Sequence, residues 1–291
     1  MVSRNDSSSR VVGKVRRRID RASDAAAGPA PDRQFVTALA RGLQVLACFS
    51  SERPELSGSE IAQLTELPQP TVWRLCHTMI QLGVLVRLPG DRMRPGLAAL
   101  RLGSSALAGL DTVDLARPAM QAIADEYHAA CGLAVRQGMQ MVMIERCHGD
   151  NPLLTNLRRG STVPIATSGL GWAFLAGLDP GARRSLIAEI NVADPARWAL
   201  ARMPFKLALS EFDQHEYIVN SGIFHPDYHT AAVTVQDRQG DVRFALNCGA
   251  PLSTLSAEQL RDEVAPRLLT LAAQLEEAIA MEPDRQDQAT N

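Results

Sequence analysis

Apolar positions recur at two different periods along the chain, and the points where the period changes mark out its organisation. Between Phe35 and Phe49, Leu39, Leu43 and Leu46 fall at helical spacing together with Gly42 and Phe49. A second helix is expected from about Gly58, because Ser57 and Glu60 have the spacing of a capping box, in which the hydroxyl takes one orphan amide and the carboxylate reaches back to another. Ile61 and Leu64 line its inner face, and Leu67 closes the turn that follows. A third helix begins near Gln69, with Pro70 in a first turn that needs no amide donor. Val72, Leu75, Met79 and Leu82, at spacings of three, four and three, give that helix one buried stripe. Gly83 ends it, and Val84-Leu85-Val86-Arg87 and Arg92-Met93-Arg94 then flank Leu88-Pro89-Gly90-Asp91 as strand, turn and strand. Three helices and a hairpin make a winged helix, expected over 34–96.

The face left outside the stripe of the third helix carries groups suited to a duplex. Gln pairs bidentately with adenine and Arg with guanine, while Thr, His and the helix N-terminus suit phosphate oxygens. Arg87, Arg92 and Arg94 on the hairpin face a single acid, Asp91, so the wing is expected against phosphates or in a minor groove. Ser59, Gln69, Thr71, Trp73, Arg74, His77, Arg87 and Arg92 are therefore the candidate DNA contacts. The bland alternative is a pair of amphipathic core helices with ordinary polar faces.

A length of 291 residues implies about two domains, and 46% hydrophobic residues suffice for two cores. A net charge of -2 is not that of a nonspecific nucleic-acid binder, so affinity for DNA must come from local placement of charge. Residues 1–33, rich in Ser, Ala, Arg and Pro, are expected to be a disordered basic tail, and 283–291 a second disordered tail. No apolar run reaches the roughly eighteen residues of a membrane helix, and Arg16-Arg17-Arg18 is followed by no apolar signal core, so a cytoplasmic protein with no membrane partner is expected. Cys48, Cys76, Cys131, Cys147 and Cys248 form an odd set without CxxC spacing, as reduced core thiols do.

Beyond the wing, 97–111 reads as a linker helix with Leu100, Leu102 and Leu107, and a second domain spans 112–282. Leu115, Met120, Ile123 and Tyr127 mark a helix that tolerates Pro118 near its start. Gly132 to Cys147 alternates as strands about a Gly138 turn. Ala231 to Val235 and Val242 to Asn247 flank a turn at Asp237-Arg238-Gln239-Gly240 as a hairpin. From Ser256, Leu260, Val264, Leu268, Leu271, Leu275 and Ile279 form the buried stripe of a last helix, with a bend at Pro266. The class is α+β, with an antiparallel sheet in the second domain.

Within Ala166-Thr167-Ser168-Gly169-Leu170-Gly171-Trp172, a Ser/Thr-Gly turn opens an apolar helix and aims successive amides at one spot, an arrangement that cradles an anion. The plainer reading is an N-cap by Thr167 or Ser168.

From about Phe35 to about Ile279 the chain resembles the IclR family of bacterial transcriptional regulators. The resemblance rests on Ala40-Arg41-Gly42-Leu43-Gln44-Val45-Leu46, on Leu67-Pro68-Gln69-Pro70-Thr71-Val72-Trp73-Arg74-Leu75, and on Gly160-Ser161-Thr162-Val163-Pro164-Ile165-Ala166-Thr167-Ser168-Gly169-Leu170-Gly171. It implies a homo-oligomer, dimer or tetramer, on palindromic double-stranded operator DNA, without a cofactor and without catalysis. It also implies a GAF-like effector domain that binds a small carboxylate. Carried onto this sequence, the ligand-binding residues are Leu154, Ser168, Gly169, Leu170, Asn220, His229, Asn247 and Gly249. Many relatives have acidic residues near Asn220, a Cys near His229 and serines near Asn247 and Gly249. A neutral Asn with a protonatable His suits a second carboxylate or a phenol, so an aromatic or dicarboxylic catabolite is expected, with Leu154, Met143 and Trp172 as apolar walls.

Two other chemistries have residues in this chain that suggest them. His225 and His229, with Asp227 between them and His215 upstream, suggest a metal-responsive regulator, although Pro226 makes a shared helix face improbable. Ser168, His229 and Asp227 could be imagined as a hydrolase triad, yet the chain has no GxSxG elbow, no GK[ST] phosphate loop and no GxGxxG after a strand.

Overall fold

The capping box forms as its spacing requires: the Glu60 amide donates to the Ser57 hydroxyl at 3.3 Å, and the Ser57 amide donates to the Glu60 carboxylate at 2.7 Å. The computed structural model describes residues 34–50, 53–107, 111–151 and 157–281. The tails expected over 1–33 and 283–291, and Leu154, lie outside these. Two units divide the chain, the first ending at Gly109 and the second beginning at Leu110.

The first unit runs α1 (Thr37–Leu46), β1 (Leu56–Ser57), α2 (Gly58–Thr65), α3 (Gln69–Gln81), β2 (Leu85–Arg87), β3 (Arg92–Pro95) and α4 (Leu97–Leu107). Glu66, in the left-handed region at φ 53°, ends α2, and Pro70 sits in the first turn of α3. The wing turns through Pro89–Asp91, with Gly90 at φ 73° and Asp91 at φ 59°. Its sheet has the order β1-β3-β2, because Leu56 pairs with Met93 beside the expected hairpin.

The core of this unit departs from the expected stripes. On α1 the buried residues are Gly42, Gln44 and Val45, with Cys48 just beyond, while Leu39 and Leu43 are exposed. Gln44 is tolerated inside because its amide donates to the Thr65 carbonyl at 3.1 Å, satisfying a group otherwise left bare at the end of α2. On α3, Val72, Cys76 and Met79 are buried, Leu75 is half-buried and Leu82 is exposed. The stripe is therefore rotated by about one position, and Cys76 takes the place expected for Leu75.

The second unit begins with α5 (Asp111–Glu126), β4 (Ala130–Gln137), β5 (Gln140–His148), β6 (Thr162–Pro164) and α6 (Gly169–Gly177). It continues through α7 (Pro180–Ala193), α8 (Pro195–His215), β7 (Tyr217–Ser221), β8 (Tyr228–Gln236) and β9 (Val242–Pro251). Last come α9 (Ala257–Gln259), a π-helical turn over Leu260–Val264, and α10 (Ala265–Met281). The six strands form one antiparallel sheet, ordered β6-β5-β4-β9-β8-β7. The π turn ends at Val264, two positions before Pro266, a proline that has no amide to continue the ladder. On α5, Val113, Ala116, Met120 and Ile123 are buried, whereas Leu115, expected in the stripe, is exposed.

Antiparallel pairing assigns every strand residue to one of two faces. One face carries Ala134, Met141, Met143, Ile218, Ala232 and Ala245 and packs on α6, whose residues from Gly169 to Ala176 are all buried. Burying all sides of α6 requires glycine where backbones approach: a Cβ on Gly171 would sit 2.3 Å from the Ile165 carbonyl oxygen. The other face meets α5 and α10, which are joined to each other by an Arg267–Glu126 ion pair. There the fully buried Glu145 carboxylate accepts from Arg117 of α5 at 3.1 Å and from Arg159. The helices α7 and α8 were not anticipated, although Asp179-Pro180 and Asp194-Pro195 signal both starts. Each Asp side chain accepts amides of the first turn, and each Pro occupies a position that needs no donor.

Candidate functional site

Rotation of α3 about its core stripe decides what it presents. With Val72, Cys76 and Met79 inward, Arg74 lies at the middle of the outward face, and Trp73 and His77 lie along one flank. Their rings stack with centroids 5.3 Å apart at 13°, and Trp73 is 60% exposed. A groove between α3 and the wing is lined by Ser59, Gln69, Trp73, His77, Arg87 and Asp91, among others. The Gln69 amide donates to the Ser59 hydroxyl at 3.2 Å, so these two candidates act as one polar unit at the mouth of the turn. Thr71 is half-buried beside them.

Arg92 is placed differently from the expectation. Its Nη2 donates to the Glu55 carbonyl at 2.6 Å and its Nη1 lies 3.4 Å from the Glu60 carboxylate. Arg92 thus ties the base of the wing to the capping box, and Arg87 and Arg94 are the more exposed cations of the hairpin. Glu60 is held below the usual carboxylate range, first by the hydrogen bond from the Ser57 amide, then by the Ser57 hydroxyl, with Arg92 adding to both.

In the second unit the Ser168 hydroxyl caps α6: it accepts from the Gly171 amide at 3.1 Å and donates to the Pro164 carbonyl at 2.7 Å. The plain N-cap reading therefore holds for this side chain, and its hydrogen-bonding capacity is largely committed. The amides of Gly169 and Leu170, at the first two helical positions, have no partner within the helix by geometry. Asn220 braces the same turn, its amide donating to the Thr167 carbonyl at 3.0 Å. Trp172 donates to the Ala166 carbonyl at 2.9 Å and packs edge-on against Phe205 of α8, as a core residue.

Register then decides which residues share that turn. Asn220 pairs with Thr230, Thr230 with Gly249, and Gly249 with Ala130. In the adjacent row, Ala232 pairs with Asn247, Asn247 with Gly132, and Gly132 with Arg146. These rows lie on the α6 face, since a Cβ on Gly169 would stand 2.3 Å from the Thr230 hydroxyl. Asn220 and Gly249 thereby share the row at the Ser168–Leu170 turn, and Asn247 lies in the adjacent row on the same face.

His229 is not. One residue from Thr230 along β8, it points to the opposite face, where its Nε2 meets the Leu255 carbonyl at 2.5 Å. A carbonyl only accepts, so Nε2 carries the proton. Burial lowers its pKa, with the Leu255 bond working in the opposite direction. The expectation that His229 shares the Ser168–Leu170 turn is corrected: Thr230 stands there instead. The same parity separates His229 from Ser168, so the imagined triad has no geometry, and its Asp227 is exposed. His225 is exposed on the turn before β8, apart from buried His229, and among the described residues no group of three or more His, Cys, Asp or Glu is arranged to hold a metal.

Arg146 is the residue that sequence reasoning missed. It is only 9% exposed, and its Nη1 lies 3.1 Å from where a Cβ of Gly132 would stand, with Asn247 Oδ1 at 2.8 Å and Met143 Sδ at 3.0 Å from the same point. Asn247 Oδ1 and Thr230 Oγ1 are buried, and neither has a hydrogen-bond partner among the described residues. The signal was available: an Arg one strand residue away from buried Glu145, opposite a glycine that leaves room for it.

The family model for the IclR helix-turn-helix domain matches residues 38–89, and that for the bacterial transcriptional regulator IclR C-terminal domain matches 104–277. The HTH-type transcriptional regulator TsaQ1/TsaQ2 of Comamonas testosteroni is 27% identical over 80% of this chain and 85% of its own length. The Pca regulon regulatory protein of Pseudomonas putida is 25% identical over 84% of each. A solved structure of an IclR family transcriptional regulator from Brucella abortus superposes with a TM-score of 0.75 at 36% identity, covering 88% of this chain and 97% of that one. An IclR homolog from Microbacterium hydrocarbonoxydans, complexed with 4-hydroxybenzoate, shares the fold with a TM-score of 0.66 at 23% identity over 83% and 98%. The curated relatives are regulators rather than enzymes. No described helix is long and apolar enough to cross a membrane.

Proposed function

The chain belongs to the IclR family of bacterial transcriptional regulators, and from that premise we propose that its winged helix docks on a palindromic operator under the control of a small carboxylate held in the C-terminal domain. The outward face of α3 supplies the base-reading groups, Gln69 and Arg74, with Thr71, Trp73 and His77 along it. The wing supplies Arg87 and Arg94 to the backbone. A homo-oligomer places two such faces on symmetric half-sites.

The observation that carries the effector half is the pairing of a buried helix N-terminus with polar side chains that lack partners. Thr230 and Asn247 are 8% and 6% exposed, and each leaves a buried polar oxygen unmatched on the α6 face of the sheet, Thr230 at the turn itself and Asn247 one row away over Gly132. Such a group costs about 1–3 kcal/mol to bury alone, so a ligand that meets it recovers a penalty the apo fold carries. Ligand and DNA are linked reciprocally: an effector that weakens operator binding must bind less tightly to the operator complex.

The test is a mobility-shift titration with a duplex from the region preceding the coding sequence, with and without millimolar 4-hydroxybenzoate or benzoate. A specific shift whose midpoint moves with carboxylate is the expected result. Absence of any shift above that of a scrambled duplex overturns the operator reading, and a shift indifferent to every small carboxylate overturns the effector reading.

A further inference from the structure

The two poles of the effector site differ in hydrogen-bonding character. At the α6 turn every available group donates: the amides of Gly169 and Leu170, and the hydroxyl of Thr230 against Gly169. That pole fits a carboxylate. Over Gly132 the arrangement is mixed. Asn247 Oδ1 is an acceptor with no donor among the described residues, and Arg146 Nη1, a donor, shares the space above the same bare Cα. A carboxylate there would set its lone pairs against Asn247 Oδ1. A hydroxyl matches both, donating to Asn247 and accepting from Arg146.

The spacing of the poles follows from register. Thr230 is paired with Gly249, and Asn247 is two residues back along β9, so Thr230 and Asn247 are diagonal neighbours on one face, about 7–8 Å apart. This is about the span of a six-membered ring bearing groups at opposite corners. Between the rows the sheet offers Gly132, Gly249, Ala130 and Ala232, which have little side chain to obstruct a flat molecule. The Met143 sulfur, 3.0 Å from the Gly132 Cβ position, is placed to meet a ring edge.

Building on the effector reading above, we propose that Arg146 and Asn247 form a hydroxyl-reading pole, and that the effector is a hydroxy-carboxylate one ring long rather than a dicarboxylate. Within the pair Asn247 supplies the acceptor that a plain carboxylate cannot use, and Arg146 both fixes the hydroxyl oxygen and favours its partial negative charge.

Calorimetric titration with benzoate, 3-hydroxybenzoate, 4-hydroxybenzoate and terephthalate tests this on the full-length protein and on R146Q, R146K and N247L. Wild type is expected to bind 4-hydroxybenzoate about tenfold or more tightly than benzoate, with terephthalate and the 3-isomer weaker than 4-hydroxybenzoate. In R146Q and N247L the ratio of 4-hydroxybenzoate to benzoate affinity is expected to fall to about one. R146K keeps part of the preference, and unliganded melting of each variant reports whether it is folded. Equal affinity of wild type for benzoate and 4-hydroxybenzoate, a preference for terephthalate, or an equal loss of both monocarboxylates in folded variants overturns the hydroxyl pole and leaves the carboxylate reading standing. If wild type binds none of the four, the carboxylate reading falls and the hydroxyl pole with it.

Discussion

Arg92, at the base of the wing, lies 3.4 Å from the carboxylate of Glu60, the residue whose side chain also closes the capping box of α2. One carboxylate therefore anchors both the start of the helix-turn-helix and the strand that carries the wing. Arg92 braces the wing against the helix-turn-helix, whereas Arg87 stays exposed on the hairpin.

Salt dependence separates these roles. Arg87→Ala is expected to weaken DNA binding across sequences and to reduce the slope of log K against log salt by about one. Arg92→Ala should weaken binding modestly with little change in slope, because no released counterion is lost. Fluorescence anisotropy of a labelled duplex at several salt concentrations reads both. Equal slope changes would place Arg92 on a phosphate.

Gly171→Ala should cost the effector domain roughly 2 kcal/mol or more, since the added methyl meets the Ile165 backbone rather than a flexible side chain. Gly58→Ala in the first unit, where nothing lies within 4 Å of the new methyl, is the control and should be near neutral or stabilising. Differential scanning calorimetry distinguishes the units. A Gly171→Ala protein that melts like wild type would contradict the packing of α6.

Stability should fall as the solution is acidified from about pH 6.5. Burial lowers the pKa of His229 from its ordinary 6.5, and His148 is shifted the same way, again chiefly by burial. The unfolded chain then binds protons that the native imidazoles refuse, so stability is whole above the unfolded pKa and is lost on moving below it. His229→Gln, which can still donate to Leu255, should flatten melting temperature between pH 7.5 and 5.5 relative to wild type. An identical profile in the variant would assign the dependence elsewhere.

All five thiols should resist modification in the native state. Each cysteine is buried, and desolvation pushes Cys48 up to about 12 and Cys76 to about 11, with Cys131 and Cys147 also raised. Thiolates are scarce there and access is poor. Reaction with a chromogenic disulfide reagent is expected only with unfolding. A rapid phase in folded protein would contradict the burial of these thiols.

Sequence legibility followed locality. The capping box at Ser57–Glu60, the helix start at Ser256, turn glycines and the alternation of β4 and β5 are local devices, and they formed where their spacing put them. Which apolar side of α1 faces inward was not local. Leu39 and Leu43 have the right period, yet Val45 and Cys48 meet α3 because Gly42 lets Met79 come within 3.1 Å of its Cβ position. On β8 the expectation missed by one residue. A strand offset of one moves a side chain through the sheet, so it is Thr230 rather than His229 that faces the α6 turn. Arg146 escaped notice because nothing in the chain order links it to Asn247; only the pairing of each with Gly132 does.

The central proposition is that the outward face of α3 meets a duplex, and Trp73 reports on it directly. Of the three tryptophans, Trp172 and Trp198 are buried and Trp73 is 60% exposed, so the fluorescence that acrylamide quenches in free protein comes mainly from Trp73. Quenching should be measured across a titration with operator duplex to saturation. Loss of most of the quenchable fraction on forming the specific complex, and not with a scrambled duplex at equal salt, is the expected result. A saturated operator complex in which Trp73 is quenched as readily as in free protein would contradict the proposition.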